Sequence, residues 1–386
     1  MAGVRLTDRI KIAPSAATMH FGFLLTGLGT ALLGPILPLL TRQWHLQDAQ
    51  SGLLLLAQFC GSFVGGVSVS RYLRRSLLAG LMAAAIGFGG FAVAPSLSLA
   101  CLALFAGGFG LGQIIASTNI LAGRRYTEHR GSALALLNFS WSFGAMLSPL
   151  LAAWLTPHFA LRPMLECFAA LFLIVALRMA TEAWGVPEEI GMADGPTESK
   201  KLGRGVFAYF AALLLLYGGV ETCLSGWLTT YALRYGEKTL VVSEYATLLL
   251  WMSLTAGRAG SSMLMLRVKE KTAQRWGLIF TVAFIAGLAT AHSTAAITAF
   301  AVMLGLSLAP FFPATFALLM TAKPTARQAG IVLAVSGIGA AALPWLMGVV
   351  STRTGSLQVA LVLPLIAAII LLAMSFLWNR NEAAPG

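Results

Sequence analysis

One acidic residue lies deep in a long apolar stretch and is the chain's strongest candidate for chemistry. Glu221 is the only charged residue between Arg204 and Arg234. A charge in the middle of such a segment costs at least about 2.5 kcal/mol in a membrane, so acids of this kind usually line a cavity. The carboxylate can accept hydrogen bonds from hydroxyl groups or take up a proton. The structural alternative is a polar clamp between helices.

Amide and indole side chains in other apolar segments could complete a site for a hydroxyl-rich solute. Asn138 and Trp141 are three residues apart, and on a helix this spacing puts an amide beside an aromatic ring. With Glu221, the predicted substrate-binding residues are Gln113, Asn119, Asn138, Trp141, Trp227 and Trp251. The alternative for the tryptophans is core packing. The pattern predicts a small-molecule site.

Arg258 is the only cation inside a further apolar segment. It precedes Arg267 by nine residues, which corresponds to about 13 Å of helix rise. We expect a structural or gating salt bridge for Arg258 in preference to substrate contact.

The sequence favours neither an enzyme nor a metalloprotein. The four cysteines lie in apolar segments without metal-ligand spacing. The five histidines are dispersed along the chain and form no catalytic group with Asp or Ser. We therefore predict no metal, no cofactor and no enzymatic activity.

The composition indicates which elements hold these residues. Hydrophobic residues make up 58% of the chain and charged residues 10%, whereas soluble domains carry about 25% charged residues. Apolar stretches long enough to cross a bilayer recur along the sequence. The twelve predicted spans are 12–41, 49–70, 76–123 as two spans broken near 94–96, 131–161, 163–181, 204–233, 245–266, 276–322 as two spans broken near 292–294, 328–352 and 354–379. The fold class is therefore an all-α membrane protein with the lipid bilayer as its surroundings.

The second half of the chain repeats features of the first. The segment 105–111 shares Phe, Ala, Gly and Leu with 300–306 at an offset of 195 residues, and Gly144 and Pro149 have counterparts at the same offset in Gly339 and Pro344. A constant offset of half the chain predicts two pseudo-symmetric six-helix bundles. We place the bundles at 1–181 and 204–386, joined by a polar cytoplasmic linker at 182–203.

The distribution of basic residues predicts the orientation. With both termini in the cytoplasm, most of the 26 lysine and arginine residues lie on the cytoplasmic side, as the positive-inside rule requires. The rule also accounts for the net charge of +12. The basic residues are scattered over short loops, so we predict no nucleic-acid partner. We expect a monomer in the cytoplasmic (inner) membrane.

Across nearly its whole length the chain resembles the major facilitator superfamily. The loop 66–75 is similar to that superfamily's motif G-x-x-x-D-R-x-G-R-R, with Ser70 in place of Asp and Leu73 in place of Gly. The resemblance implies a cytoplasmic latch in which Arg71 takes part in gating. It also implies a gating role for Arg258, which follows Gly257.

Within the superfamily the chain is similar to the fucose permease-like sugar transporters. The segments that carry this resemblance are 217–231, which contains Glu221 and Trp227, 305–315 and 337–348. Asn119 matches the group's fourth helix, but Ile115 stands where its proton-linked glutamate is expected. The driving mode therefore stays open between proton symport through Glu221 and facilitated diffusion.

The resemblance implies a transporter of a monosaccharide or similar polyol that works by alternating access. Two alternatives remain: an exporter of amphipathic organic compounds and a sugar sensor of the same fold that does not transport.

Overall fold

The computed structural model describes residues 15–69, 72–125, 130–182, 202–236, 239–265, 267–322, 324 and 326–377. These residues form helices joined by short turns, and no strand occurs among them. The helices are α1 (Ala16–Gln43), α2 (Asp48–Val67), α3 (Leu73–Ala92), α4 (Leu97–Arg125), α5 (Arg130–Leu155), α6 (Leu161–Thr181), α7 (Arg204–Tyr235), α8 (Leu240–Leu264), α9 (Glu270–Leu288), α10 (Thr294–Leu308), α11 (Phe311–Thr321), α12 (Ala326–Thr354), α13 (Leu357–Ala360) and α14 (Val362–Leu377).

The described helices make twelve passes, because α10 with α11 and α13 with α14 each form one interrupted pass. The first interruption falls at Ala309 and Pro310, where the proline lacks the N–H that would continue the helix. Ten passes are long and apolar enough to cross a membrane. Helices α8 and α9, with 25 and 19 residues, complete the set. The prediction of an all-α membrane protein with twelve transmembrane helices is confirmed.

The two long apolar runs divide where the sequence predicts. Helix α3 ends at Ala92 before α4 begins at Leu97, and α9 ends at Leu288 before α10 begins at Thr294. Ser293 caps α10 by accepting a hydrogen bond from the Ala296 amide, which satisfies one of the free N–H groups of the first turn.

The eighth pass begins earlier than the sequence indicates. The span expected at 245–266 leaves Glu244 in a loop, but α8 starts at Leu240 and includes it. The reason is that the expected boundary follows charge, whereas the helix continues as long as its backbone hydrogen bonds and packing allow. The difference matters because Glu244 is completely buried.

The chain forms two compact units. The first contains the described residues within Met1–Thr30, Gly61–Ala145 and Phe159–Ala193. Its interior includes an aromatic cluster in which the Phe88 ring lies 4.9 Å from Phe168 and 5.9 Å from Phe172. The cluster joins α3 to α6.

The second unit contains the described residues within Ala31–Cys60, Met146–His158 and Asp194–Gly386. Its largest fully buried side chains include Tyr217, Trp227 and Tyr231 of α7. Helix α7 is therefore the central element of this unit. The bundle boundaries predicted from sequence stay a prediction, and most of the linker at 182–203 lies outside the described residues.

In the first unit, α1 and α5 approach each other through glycines. A Cβ atom on Gly27 would overlap the carbonyl group of Trp141, and a Cβ atom on Gly144 would overlap that of Leu24. Such small residues allow two helix backbones to lie in contact.

In the second unit, α7 and α12 repeat this contact. A Cβ atom on Gly218 would overlap the Ser336 carbonyl group, and one on Gly339 would overlap the Leu215 carbonyl group. The α12 positions follow their α5 counterparts by 195 residues and the α7 positions follow their α1 counterparts by 191. The internal repeat is therefore a repeat of helix packing, as two pseudo-symmetric bundles require.

Candidate functional site

The second unit brings Glu221 of α7 and Arg258 of α8 together. Arg258 Nη2 donates a hydrogen bond to Glu221 Oε1 at 2.8 Å, and the two side chains are only 24% and 18% exposed. The same Nη2 lies 3.5 Å from the Tyr217 hydroxyl group. We call Glu221, Arg258 and Tyr217 the polar centre.

The surrounding helices position the polar centre. Tyr217 and Glu221 are four residues apart and share one face of α7. The Tyr217 ring stacks on Phe311 with centroids 4.6 Å apart and planes 9° apart. Because Phe311 begins α11 directly after Pro310, the interruption of the tenth pass places the ring that supports Tyr217.

The polar centre offers both acceptors and donors. Glu221 supplies carboxylate oxygens, and Arg258 supplies N–H groups fixed in a plane. Arg258 Nε is buried and has no hydrogen-bond partner among the described residues. A buried donor without a partner is costly, so this atom is suited to an acceptor supplied by a ligand.

Two predicted tryptophans of the second unit are enclosed. Trp227 is 1% exposed, and its indole N–H donates to the Pro344 carbonyl oxygen at 3.0 Å. Trp251 is 4% exposed. In this arrangement both rings pack between helices, so their predicted contact with substrate stays a prediction.

The predicted amides of the first unit differ in their surroundings. Asn138 is exposed and Trp141 half-buried. Asn119 Nδ2 donates to the Ile115 carbonyl oxygen at 2.8 Å. Gln113 is buried.

Gln113 joins two helices of the first unit. Its Nε2 donates to the Ser68 hydroxyl group at 3.1 Å, and Ser68 in turn donates to the Gly65 carbonyl oxygen at 2.9 Å. This contact ties α4 to the end of α2. Of the two predicted gating residues, Arg258 lies in the polar centre and Arg71 lies outside the described residues.

A second ion pair of the second unit, in which Asp48 is buried and Arg234 is 36% exposed, is absent from the sequence prediction. Arg234 at the end of α7 donates to both carboxylate oxygens of Asp48 at the start of α2, with Nη1–Oδ2 at 2.6 Å. The Ser351 hydroxyl group of α12 donates to Asp48 Oδ2. We call Asp48, Arg234 and Ser351 the Asp48 cluster. Paired N–H···O bonds between arginine and a carboxylate are among the strongest polar contacts in proteins.

Close backbone contacts accompany the Asp48 cluster. The Ala49 amide donates to Thr352 Oγ1 at 2.8 Å, and a Cβ atom on Gly348 would overlap the Asp48 carbonyl group. On α1, a Cβ atom on Gly34 would lie 2.7 Å from the Ser225 carbonyl oxygen of α7. Parts of α1 and α2 therefore pack tightly against α7 and α12 at this end of the second unit.

A signal for the Asp48 cluster does exist in the sequence. Asp48 and Arg234 lie at helix ends that the predicted topology assigns to the same membrane face, and their charges are opposite. Because the two residues are 186 positions apart, their pairing cannot be recognised before the arrangement of the helices is known. Among the described residues, no group of three or more His, Cys, Asp or Glu side chains could hold a metal ion.

Twelve helical passes, two packing repeats and a partly buried ion pair between passes are typical of membrane transport proteins. The chain belongs to the Major Facilitator Superfamily, whose sequence profile matches residues 19–330. It is 24% identical to the uncharacterized transporter YfkL of Bacillus subtilis over 96% of this chain and 98% of that protein. It is 27% identical to the niacin transporter NiaP of Acinetobacter baylyi over 36% of this chain and 33% of that protein.

Solved structures with sequence identity below 20% share the fold. The xylose transporter XylE of E. coli superimposes with a TM-score of 0.75 at 14% identity, covering 95% of this chain and 98% of that one. The E. coli fucose:proton symporter FucP, in its outward conformation, gives a TM-score of 0.64 at 17% identity over 98% and 100% of the chains. The predicted membership of the superfamily is confirmed, and the resemblance to fucose permease-like transporters is consistent with these likenesses.

Proposed function

We propose that this chain is a secondary transporter that moves a monosaccharide or similar polyol across the cytoplasmic membrane by alternating access. In the proposed orientation both termini are cytoplasmic, so the Asp48 cluster lies on the outer side. The observation that supports this proposal most directly is the ion pair of Glu221 and Arg258, whose side chains are partly exposed.

The chemistry of the polar centre supports an uncharged, hydroxyl-rich substrate. The two charges cancel each other, so a neutral solute meets no net charge. Its hydroxyl groups can donate to the Glu221 carboxylate and accept from the Arg258 guanidinium group, which has a free buried N–H. Asn119, Asn138, Trp141 and Gln113 of the first unit stay predicted substrate-binding residues.

For secondary active transport, we propose that the coupled proton binds to Glu221. A proton on the carboxylate removes the charge that holds Arg258, so protonation and release of the guanidinium group become a single event. The released guanidinium group can then bind solute. Without such a step the same site supports facilitated diffusion.

A small organic carboxylate is the second candidate substrate. The free N–H of Arg258 and the planar guanidinium group can bind a carboxylate in place of Glu221. The partial similarity to a niacin transporter supports the same chemistry.

The test is uptake into proteoliposomes that contain the purified chain. Labelled monosaccharides, polyols and nicotinate are offered with and without an inward proton gradient, and counterflow is measured with the solutes that enter. We expect a sugar or polyol to exchange. We also expect Glu221→Gln to reduce that exchange about tenfold, as loss of about 1.4 kcal/mol of binding predicts.

The matched control is Glu166→Gln, which removes an acid from an exposed pair with Arg162 on α6 and leaves uptake unchanged. Uptake of nicotinate alone supports the second candidate. Binding of a sugar without counterflow indicates a sensor and contradicts transport. Gradient-driven accumulation that survives Glu221→Gln removes the proton role from Glu221.

A further inference from the structure

A second acid of the membrane domain is buried more deeply than Glu221. Glu244, in the second turn of α8, is 0% exposed. Both of its carboxyl oxygens are inaccessible and have no hydrogen-bond partner among the described residues. It therefore differs from Glu221, which has a guanidinium partner.

Helical spacing places Glu244 on the side of α8 that meets α7. Thr247 lies three residues further along α8, on the same face, and its hydroxyl group is 2.7 Å from that of Thr229 on α7. Thr229 and Thr247 are themselves 0% exposed. Glu244 thus lies about one turn closer to the start of α8 than this hydroxyl pair.

The described helices that pack against α8 offer no free charge to Glu244. Helices α10 and α11 contain no charged residue. At the end of α7 the titratable groups are engaged elsewhere: Arg234 binds Asp48, Tyr231 donates to the Leu288 carbonyl oxygen, and Tyr235 meets Ser356. On α8, Tyr245 is exposed and Arg258 binds Glu221.

An ionised carboxylate does not suit this environment. It has about four lone-pair positions that require donors, and a buried charge without donors or a counter-ion is one of the most costly arrangements in a protein. A neutral carboxyl group is far less costly in the same place.

We propose that Glu244 is a proton-binding site of the transporter and that it carries its proton in this conformation. The ligand is a proton taken from water, bound as the O–H of the carboxyl group. The site releases it to water when the start of α8 opens and the carboxylate becomes hydrated.

A role in transport rests on the proposed function. If the outer end of the second unit opens during alternating access, Glu244 changes between a buried neutral form and a hydrated ionised form. The chain would then carry one proton per cycle at a site separate from the substrate contacts of Glu221. In α4, Ile115 stands where a proton-linked glutamate is expected. Glu244 would supply an acid for proton coupling at a different place in the membrane.

The test is infrared spectroscopy of the purified protein at neutral pH, in which the spectrum of each variant is subtracted from that of the wild type. The measurement requires no substrate. We expect the carbonyl stretching band of a protonated carboxyl group in the wild type. The band is lost in Glu244→Gln and displaced in Glu244→Asp. Because Gln resembles the neutral acid in size and charge, Glu244→Gln should melt within about 2 °C of the wild type, a change of less than about 1 kcal/mol.

The controls separate a proton site from an ion pair. Glu166→Gln leaves the band unchanged, because that acid is exposed and paired with Arg162. Lys238→Gln, which changes a cation outside the described residues, also leaves it unchanged. A band that persists in Glu244→Gln, or a wild type without the band, overturns the proposal. A band that appears or grows in Lys238→Gln overturns it too, since Glu244 would then be an ion-pair partner.

A transport measurement tests the coupling role separately. In proteoliposomes, Glu244→Gln should keep counterflow within about twofold and lose accumulation driven by a proton gradient. Unchanged accumulation overturns the coupling role even if the band is present. If no offered solute is transported at all, the proposed function fails while the infrared result still decides the protonation of Glu244.

Discussion

We expect Glu221→Gln and Arg258→Gln each to destabilise the protein, and the double substitution Glu221→Gln/Arg258→Gln to restore most of the loss. Glu221→Gln leaves the Arg258 guanidinium group without its counter-ion, and Arg258→Gln leaves the Glu221 carboxylate without its own. Both side chains are less than a quarter exposed. Removing one partner of a fully buried pair costs about 3–5 kcal/mol. Because both side chains retain some exposure, we expect about 1–3 kcal/mol here.

The corresponding measurement is thermal unfolding of the purified variants in lipid nanodiscs. A loss of this size lowers the melting temperature by about 2–6 °C. Transport should fall at least about tenfold in all three variants, because a loss of about 1.4 kcal/mol of binding free energy corresponds to a tenfold weaker interaction. The double variant is thus expected to separate stability, which recovers, from transport, which does not.

The exposed pair of Arg162 and Glu166 is the control for this cycle. Its side chains are 66% and 45% exposed, and such surface pairs contribute about 0–1 kcal/mol. Glu166→Gln should therefore melt with the wild type. Additive losses in the double variant at the polar centre would contradict the pairing, since coupled residues in contact deviate from additivity by about 0.5–3 kcal/mol.

The fold could be predicted because its signals are local or periodic. Apolar runs of membrane length define the passes, and the offset of 195 residues relates the two halves. The structure explains that offset physically: glycines on α5 and α12 bring these helices against α1 and α7 at equivalent positions. A larger side chain in place of one of these glycines would push the two helix backbones apart. Close helix packing therefore explains why glycine recurs at these positions.

The polar centre could be predicted only in part. Glu221 and Arg258 each stand out as a charge within an apolar segment, but their contact depends on how α7 and α8 rotate about their axes. That rotation is set by packing, for example by Tyr217 on Phe311. No sequence spacing reports it, since the two residues are 37 positions apart on different helices.

Asp48 and Glu244 show that a charged residue at the edge of an apolar segment does not always lie in a loop. Both lie near helix ends, where a charge is expected to reach water. The structure buries both, to 8% and 0% exposure, because neighbouring helices extend past them. Asp48 gains Arg234 and Ser351 as partners, whereas Glu244 has none among the described residues. Burial at helix ends therefore decides their chemistry, and it follows from tertiary packing.

The second large effect is expected at the Asp48 cluster. We propose that it holds the outer side of the transporter closed, because it fastens the start of α2 to the ends of α7 and α12. Asp48→Asn and Arg234→Gln each remove one partner of the pair. Removing one partner of a fully buried pair costs about 3–5 kcal/mol. Because Arg234 is 36% exposed, we expect a smaller loss of about 2 kcal/mol, which changes the ratio of closed to open states by about thirtyfold. The open state should then become more populated.

Labelling of a buried cysteine measures this opening. Leu55 of α2 is 2% exposed and one of its methyl carbons lies 3.3 Å from a Cβ atom built on Gly226 of α7. In a variant without native cysteines, Leu55→Cys should react slowly with a water-soluble maleimide in nanodiscs. With Asp48→Asn or Arg234→Gln added, we expect the rate to rise at least about tenfold. Ser351→Ala removes one neutral hydrogen bond of about 1 kcal/mol and should have a smaller effect.

A second cysteine distinguishes opening from unfolding. Leu81 of α3 is 0% exposed and belongs to the first unit, whereas the Asp48 cluster belongs to the second, so Leu81→Cys should stay protected in every variant. Labelling at both positions would indicate general unfolding. Equal rates at Leu55→Cys in the presence and absence of the Asp48→Asn and Arg234→Gln changes would contradict the closing role and leave the cluster as a static clamp. A selective rise at Leu55→Cys, together with impaired counterflow, is the result that alternating access requires, because a carrier that cannot close its outer side cannot complete the cycle.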